Sequence, residues 1–157
     1  MIAPIVKSEH ILSHVTTPFR SITLAPEAHS AKTIVPPTLL VAEDDIMLCK
    51  LLKATLERAG YRVLTAANGA DAVGVFQAQH VDLVILDVMM PVMDGFGACS
   101  KIRTLSDVPI LMLSAFSSKD VVANAKRKGA TMFLHKPIRP KDLTSHIQSL
   151  LTVGGFF

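Results

Sequence analysis

Residues 81–96 read VDLVILDVMMPVMDGF, and this stretch decides the fold. Val81 and residues 83–86 are all aliphatic, and the run meets the carboxylate of Asp87 with no turn residue between. A strand with one wet face alternates apolar and polar side chains. A strand buried on both faces instead reads as a continuous apolar run, which is the pattern of a parallel sheet covered by helices. A carboxylate is costly inside such a core, so Asp87 marks the place where the strand leaves it. Behind it, Met-Met-Pro and Asp94-Gly95 are loop chemistry.

Working outward, runs at 39–42, 62–65, 110–113 and 132–134 join 83–86 to predict five short strands. Helical stretches lie between them. Leu48, Leu51, Leu52, Thr55, Leu56 and Ala59 recur at helical spacing and stop at Gly60. Val73 and Phe76 mark a second helix; Phe96, Cys99 and Ile102 mark a third. Val121 or Val122 with Ala125 marks a fourth, and Leu143, Ile147, Leu150 and Leu151 a fifth that opens at Pro140 and ends before Gly154-Gly155. Five strand–helix alternations predict an α/β fold, a doubly wound five-stranded parallel sheet with helices on both faces.

Half of the 157 residues are hydrophobic and 18% are charged, which suits one domain with a proper core. Residues 1–37 stand apart. They carry Pro4, Pro18, Pro26, Pro36 and Pro37 with His10, His14 and His29, and no sustained periodicity. They are expected to be a disordered extension with a short strand over 20–24. Residues 38–151 form the domain and 152–157 a short tail. The histidines lack metal-site spacing. Nothing approaches the roughly 18 consecutive apolar residues of a membrane span. The N-terminus lacks the basic and apolar regions of a secretory signal, and Glu9 and Glu27 count against a transit peptide, so the cytoplasm is the expected compartment. Cys49 and Cys99 fit no metal or redox spacing and read as packed free thiols. A formal charge of +3 is too mild to imply a specific nucleic-acid partner.

In open parallel sheets, ligands bind beyond the carboxyl ends of the strands. Here the first strand runs into Glu43-Asp44-Asp45, the third into Asp87, the fourth into Ser114-Ala115, and the fifth into His135-Lys136-Pro137. Each alone has a bland reading: an acidic pair caps a helix, and a lysine before proline lies on the surface. Their joint placement at one sheet edge carries the weight. Two unit charges about 4 Å apart interact by roughly 4 kcal/mol at an effective dielectric near ~20. Clustered carboxylates therefore take up protons or hold a cation. Hard oxygen donors with an open side suit Mg²⁺, and a carboxylate beside it can act as a nucleophile toward phosphorus. Lys136 and the metal would neutralise the phosphoryl oxygens in transit, and Ser114 could donate to them.

This order of motifs resembles the response-regulator receiver domain of two-component signalling. The resemblance spans about residues 38–151 and implies a flavodoxin-like strand order, 2-1-3-4-5. It implies that Asp87 is the phosphorylated aspartate. Asp44 would bind Mg²⁺ directly, Glu43 directly or through water, and Met89 through its main-chain carbonyl. Lys136 would be the phosphate-binding lysine, preceding a cis Lys136–Pro137 bond. Asp45 falls one place beyond the acidic pair and is assigned to capping the first helix. Pro91 would fix φ in the loop under Asp87, and Gly95 would supply backbone freedom there. Ser114 and Phe133 would be the switch pair, the first moving toward the phosphoryl group and the second turning inward behind it.

The implied partners are a sensor histidine kinase or histidine phosphotransfer protein as donor and a protein target downstream, with phosphorylation-dependent homodimerisation left open. The chain ends soon after the last helix, so a stand-alone receiver is expected, catalysing only its own phosphorylation and dephosphorylation. Met89 and Phe116 would flank the path of attacking water and prolong the phosphoryl lifetime. The basic fourth helix, with Lys119, Lys126, Arg127 and Lys128, reads as a solvated face or as a dock for an acidic partner. The alternative class is a scaffold that keeps the fold without phosphorylation; the complete set of acids and lysine argues against it. A phosphatase with an aspartate nucleophile would carry a second aspartate two residues on, where this chain has Met89.

Overall fold

The structure is a computed structural model and describes residues 35–153. The expectations for a disordered extension, a strand over 20–24 and the end of the tail fall on residues outside this range. Among the described residues, strands and helices alternate as β1 (Thr38–Ala42), α1 (Ile46–Arg58), β2 (Arg62–Ala66), α2 (Gly69–Ala78), β3 (Leu83–Asp87), α3 (Gly95–Leu105), β4 (Ile110–Ser114), α4 (Lys119–Arg127), β5 (Met132–His135) and α5 (Pro140–Val153). The strands form one parallel sheet in the order β2-β1-β3-β4-β5.

The three central strands are buried along their whole length, as their apolar runs require. Alternation along each strand feeds two separate cores. Leu39, Val41, Leu83, Ile85, Leu111 and Leu113 pack on Leu52 and Leu56 of α1 and on Leu143, Ile147 and Leu151 of α5. Leu40, Ala42, Val84, Leu86, Ile110 and Met112 pack on Ala72 of α2, Ala98 and Ile102 of α3, and Ala125 of α4.

Four strands, β2 to β5, run one residue past the expected end, so Asp87, Ser114 and His135 are the last residues of their strands. Ladder hydrogen bonds use the backbone, and a polar side chain does not stop them. Each helix start near the site has its own cap. Asp45 accepts from the amides of Met47 (2.9 Å) and Leu48 (3.0 Å), and Asp94 from Gly97 (2.7 Å). Gly60, at φ +95, ends the α1 turn in the left-handed region.

The α1 stripe is narrower than its periodicity suggests. Leu52 and Leu56 are buried, Leu48 is half-buried, and Leu51 and Ala59 are exposed. On α4, Ala125 is buried against the sheet, Val121 is half-buried and Val122 exposed. No described helix is long and apolar enough to cross a membrane.

Candidate functional site

Glu43 leaves β1 and Asp87 ends β3, on adjacent parallel strands, so their carboxylates emerge side by side. Glu43 is 3% exposed and Asp87 7%, while Asp44 is open to solvent. One oxygen from each of the three lies within 4.8 Å of the others. Lys136, just past β5, reaches across to both buried acids. Its Nζ lies 2.7 Å from Glu43 Oε2 and 2.9 Å from Asp87 Oδ1.

Burial pushes the Glu43 carboxyl above the usual range, and the charge of Asp87 adds to that; the bond from Lys136 opposes it. Burial pulls the Lys136 ammonium down, but its bonds to Glu43 and Asp87 and their charges outweigh this and leave it raised. The ammonium is therefore the counter-charge that lets two acids lie buried together. An all-oxygen donor set with Asp44 on the solvent side fits a hard divalent cation such as Mg²⁺. Met89 lies in the loop after Asp87 with its side chain mostly exposed, and the acid cluster forms without that side chain.

Ser114 ends β4 wholly buried, and its Oγ accepts a hydrogen bond from the Phe116 amide at 3.0 Å. Phe133 is half-buried on β5, against the core beneath α2, α3 and α4. In the β4–β5 register Met112 faces Phe133 and Ser114 faces His135, so Ser114 and Phe133 lie on the same side of the sheet, one step apart. The Lys136–Pro137 bond is cis. His135, at the end of β5, donates from Nε2 to the Ala115 carbonyl at 2.9 Å.

The loop under Asp87 departs from expectation in one respect. Gly95 does not occupy the left-handed region; that conformation falls on Val92, at φ 67. Glycine is required at 95 by proximity, because a Cβ there would collide with the Asp87 carbonyl. The Gly95 amide also bonds the Val88 carbonyl at 2.9 Å, which draws the start of α3 against the strand end. Cys49 and Cys99 are free thiols, both pushed up by burial.

Around the acids the surface is apolar. Ile46, Met47 and Leu51 on α1, Met89, and Phe116 are each more than half exposed. A groove of about 380 Å³, lined in part by Leu48, Leu51, Ile138 and Leu143, runs beside Lys136 and Ala115.

A doubly wound sheet with buried acids, a serine and a lysine at its carboxyl edge defines an aspartate-centred α/β domain. The family described as response regulator receiver domain matches residues 39–148, and the chain belongs to that family. Among curated proteins it is 42% identical over 113 residues to "Probable transcriptional regulator ycf27" of Cyanophora paradoxa, covering 72% of this chain and 47% of that protein. It is 37% identical over 118 residues to "Transcriptional regulatory protein AfsQ1" of Streptomyces coelicolor, covering 75% of this chain and 52% of that one. The chain thus spans about half the length of these relatives. Among solved structures, chemotaxis protein CheY4 of Vibrio cholerae superposes with a TM-score of 0.71 at 36% identity, covering 74% of this chain and 99% of that one.

Proposed function

We propose that Asp87 accepts a phosphoryl group from a phosphohistidine on a sensor histidine kinase or histidine phosphotransfer protein. Glu43, Asp44, Asp87 and the Met89 carbonyl would hold Mg²⁺, which supplies positive charge against the phosphoryl oxygens. The observation that carries this reading is the pairing of Lys136 with both buried acids, beside a third acid open to solvent. An Asp87 carboxylate oxygen forms the new O–P bond as the donor N–P bond breaks, and the departing imidazole keeps the electron pair and takes up a proton. Lys136, already 2.9 Å from Asp87, lies where it can stay beside the phosphoryl oxygens as charge builds on them. Ser114 donates to the same oxygens, and Phe133 turns inward as it moves. Such contacts differ between the two states, as a ligand-driven switch requires.

The apolar rim on α1, Met89 and Phe116 supports a protein donor, since exposed apolar patches mark interaction sites. Output is assigned to protein contacts, with the basic surface of α4 as one candidate dock. The relatives' description as transcriptional regulators stands against the expectation of no nucleic-acid partner; that role is not carried over to a chain matching about half of them. We place the protein in the cytoplasm on the same reading. Incubation with acetyl phosphate and Mg²⁺, followed by intact mass, tests the chemistry. Wild type should gain one phosphate and Asp87→Asn none; an unmodified wild type or a modified variant would refute the assignment.

A further inference from the structure

The peptide between Ala115 and Phe116 is held at both ends by side chains. Its carbonyl accepts from His135 Nε2 at 2.9 Å, and its N–H donates to Ser114 Oγ at 3.0 Å. His135 faces Ser114 across the β4–β5 ladder, whose last backbone rung runs from the Lys136 amide to the Ser114 carbonyl at 2.8 Å. Beyond that rung the imidazole adds a side-chain donor and ties down the first peptide of the β4–α4 loop. A carbonyl can only accept, so the ring nitrogen donates, which the Nε2–H tautomer and the imidazolium both can do.

We infer that His135 is a positioning residue that holds the Ser114 hydroxyl in its resting place, through the Ala115–Phe116 peptide. For Ser114 to turn toward Asp87, the Phe116 amide must give up its partner or the peptide must rotate with it. The ring on the carbonyl opposes rotation, so the bond favours the phosphate-free state and sets part of the switching threshold. Nothing else is asked of His135: it is exposed and touches neither the acids nor the site of the phosphoryl group.

The inference rests on the phosphoacceptor reading, and its test has one arm that does not. In the metal-free protein, His135→Val should speed hydrogen exchange of the Phe116 amide about three- to tenfold, the worth of one hydrogen bond. His135→Gln, which keeps an amide donor, should stay near wild type. With Mg²⁺ present, beryllofluoride, a phosphoryl mimic, should bind His135→Val about three- to tenfold more tightly than wild type, while affinity for Mg²⁺ alone stays within about twofold. In a Ser114→Ala background the His135→Val effect on beryllofluoride should vanish, because the hydroxyl it acts through is gone. An unchanged Phe116 amide, or unchanged or weaker beryllofluoride binding in His135→Val, overturns the inference. A wild type that binds no beryllofluoride instead refutes the phosphoacceptor reading, and the Phe116 amide then still decides whether His135 pins the peptide.

Discussion

Lys136 is the residue on which the metal-free site balances. Its ammonium serves Glu43 and Asp87 together, and removing it leaves two buried acids facing each other. Lys136→Met should therefore destabilise the metal-free protein by about 2–3 kcal/mol at neutral pH, below the range for a fully buried pair because part of the site is open. Thermal melting in chelator checks this, and Mg²⁺ should restore the variant more than wild type. The sign with pH follows from the raised ammonium. A lysine whose folded pKa lies above its unfolded value stabilises the fold fully below the unfolded value and loses that contribution as pH rises through the folded one. The gap in Tm between wild type and Lys136→Met should then close on the alkaline side, above the ordinary lysine range. Val92 is a second singular residue, a β-branched side chain in the left-handed region and almost fully exposed. That conformation costs roughly 1–2 kcal/mol, so Val92→Asn should stabilise by about 1 kcal/mol and raise Tm by a few degrees. Met89 and Phe116 bear on lifetime: Met89→Asn with Phe116→Glu should shorten the phosphoryl half-life, read by loss of the phosphate from intact mass over time. The acids, the serine and the lysine could be read from strand ends; Val92 could not, because nothing local marks a valine for that conformation.

At the scale of elements, one arginine joins three segments. From α3, Arg103 donates through Nε and Nη2 to the Gly129 carbonyl at 2.9 and 2.8 Å, and through Nη1 to the carbonyls of Ser106 (3.0 Å) and Val108 (2.7 Å). It fastens the end of α3 and the turn into β4 to the turn that leads from α4 into β5. Arg103→Met should cost about 2–3 kcal/mol by urea denaturation, since it strands carbonyls in a half-buried place. Arg103→Lys should recover little, because one ammonium cannot fork to separate carbonyls. A sequence shows only an arginine in a last helical turn, where dipole stabilisation is the obvious reading. Its real partners lie up to 28 residues away and have no local signature. The α1 stripe errs the other way: periodicity there overstates burial, because Leu51 faces the groove beside Lys136 instead of the sheet. At the far edge, Lys53 Nζ caps the Val63 carbonyl at 3.1 Å, so the open side of β2 is blunted against strand addition.

For the whole molecule, the sheet was legible because its signals are strong and repeated: apolar runs at 83–86 and 110–113, helical spacing between them, and the Asp45 cap in place. The residues converging at the carboxyl edge were legible for the same reason, since a parallel sheet sends all its strand ends one way. Tertiary hydrogen bonds were not. The Thr38 amide given to buried Asp82 at 2.7 Å, the Arg103 bonds and the His135 bond each depend on distances that only the folded chain sets. The two-sided core has a further bearing on how such a domain changes over time. By strand alternation Glu43 and Asp87 belong with the α1 and α5 layer, while Ser114 and Phe133 belong with the layer of α2, α3 and α4. On the proposed reading, whatever writes the signal meets the carboxyl edge mainly from the α1 side and whatever reads it meets the α4 side, with the sheet between most of the two surfaces. Either correspondent could be exchanged by reshaping its own side, provided Phe116, where the two meet, is kept.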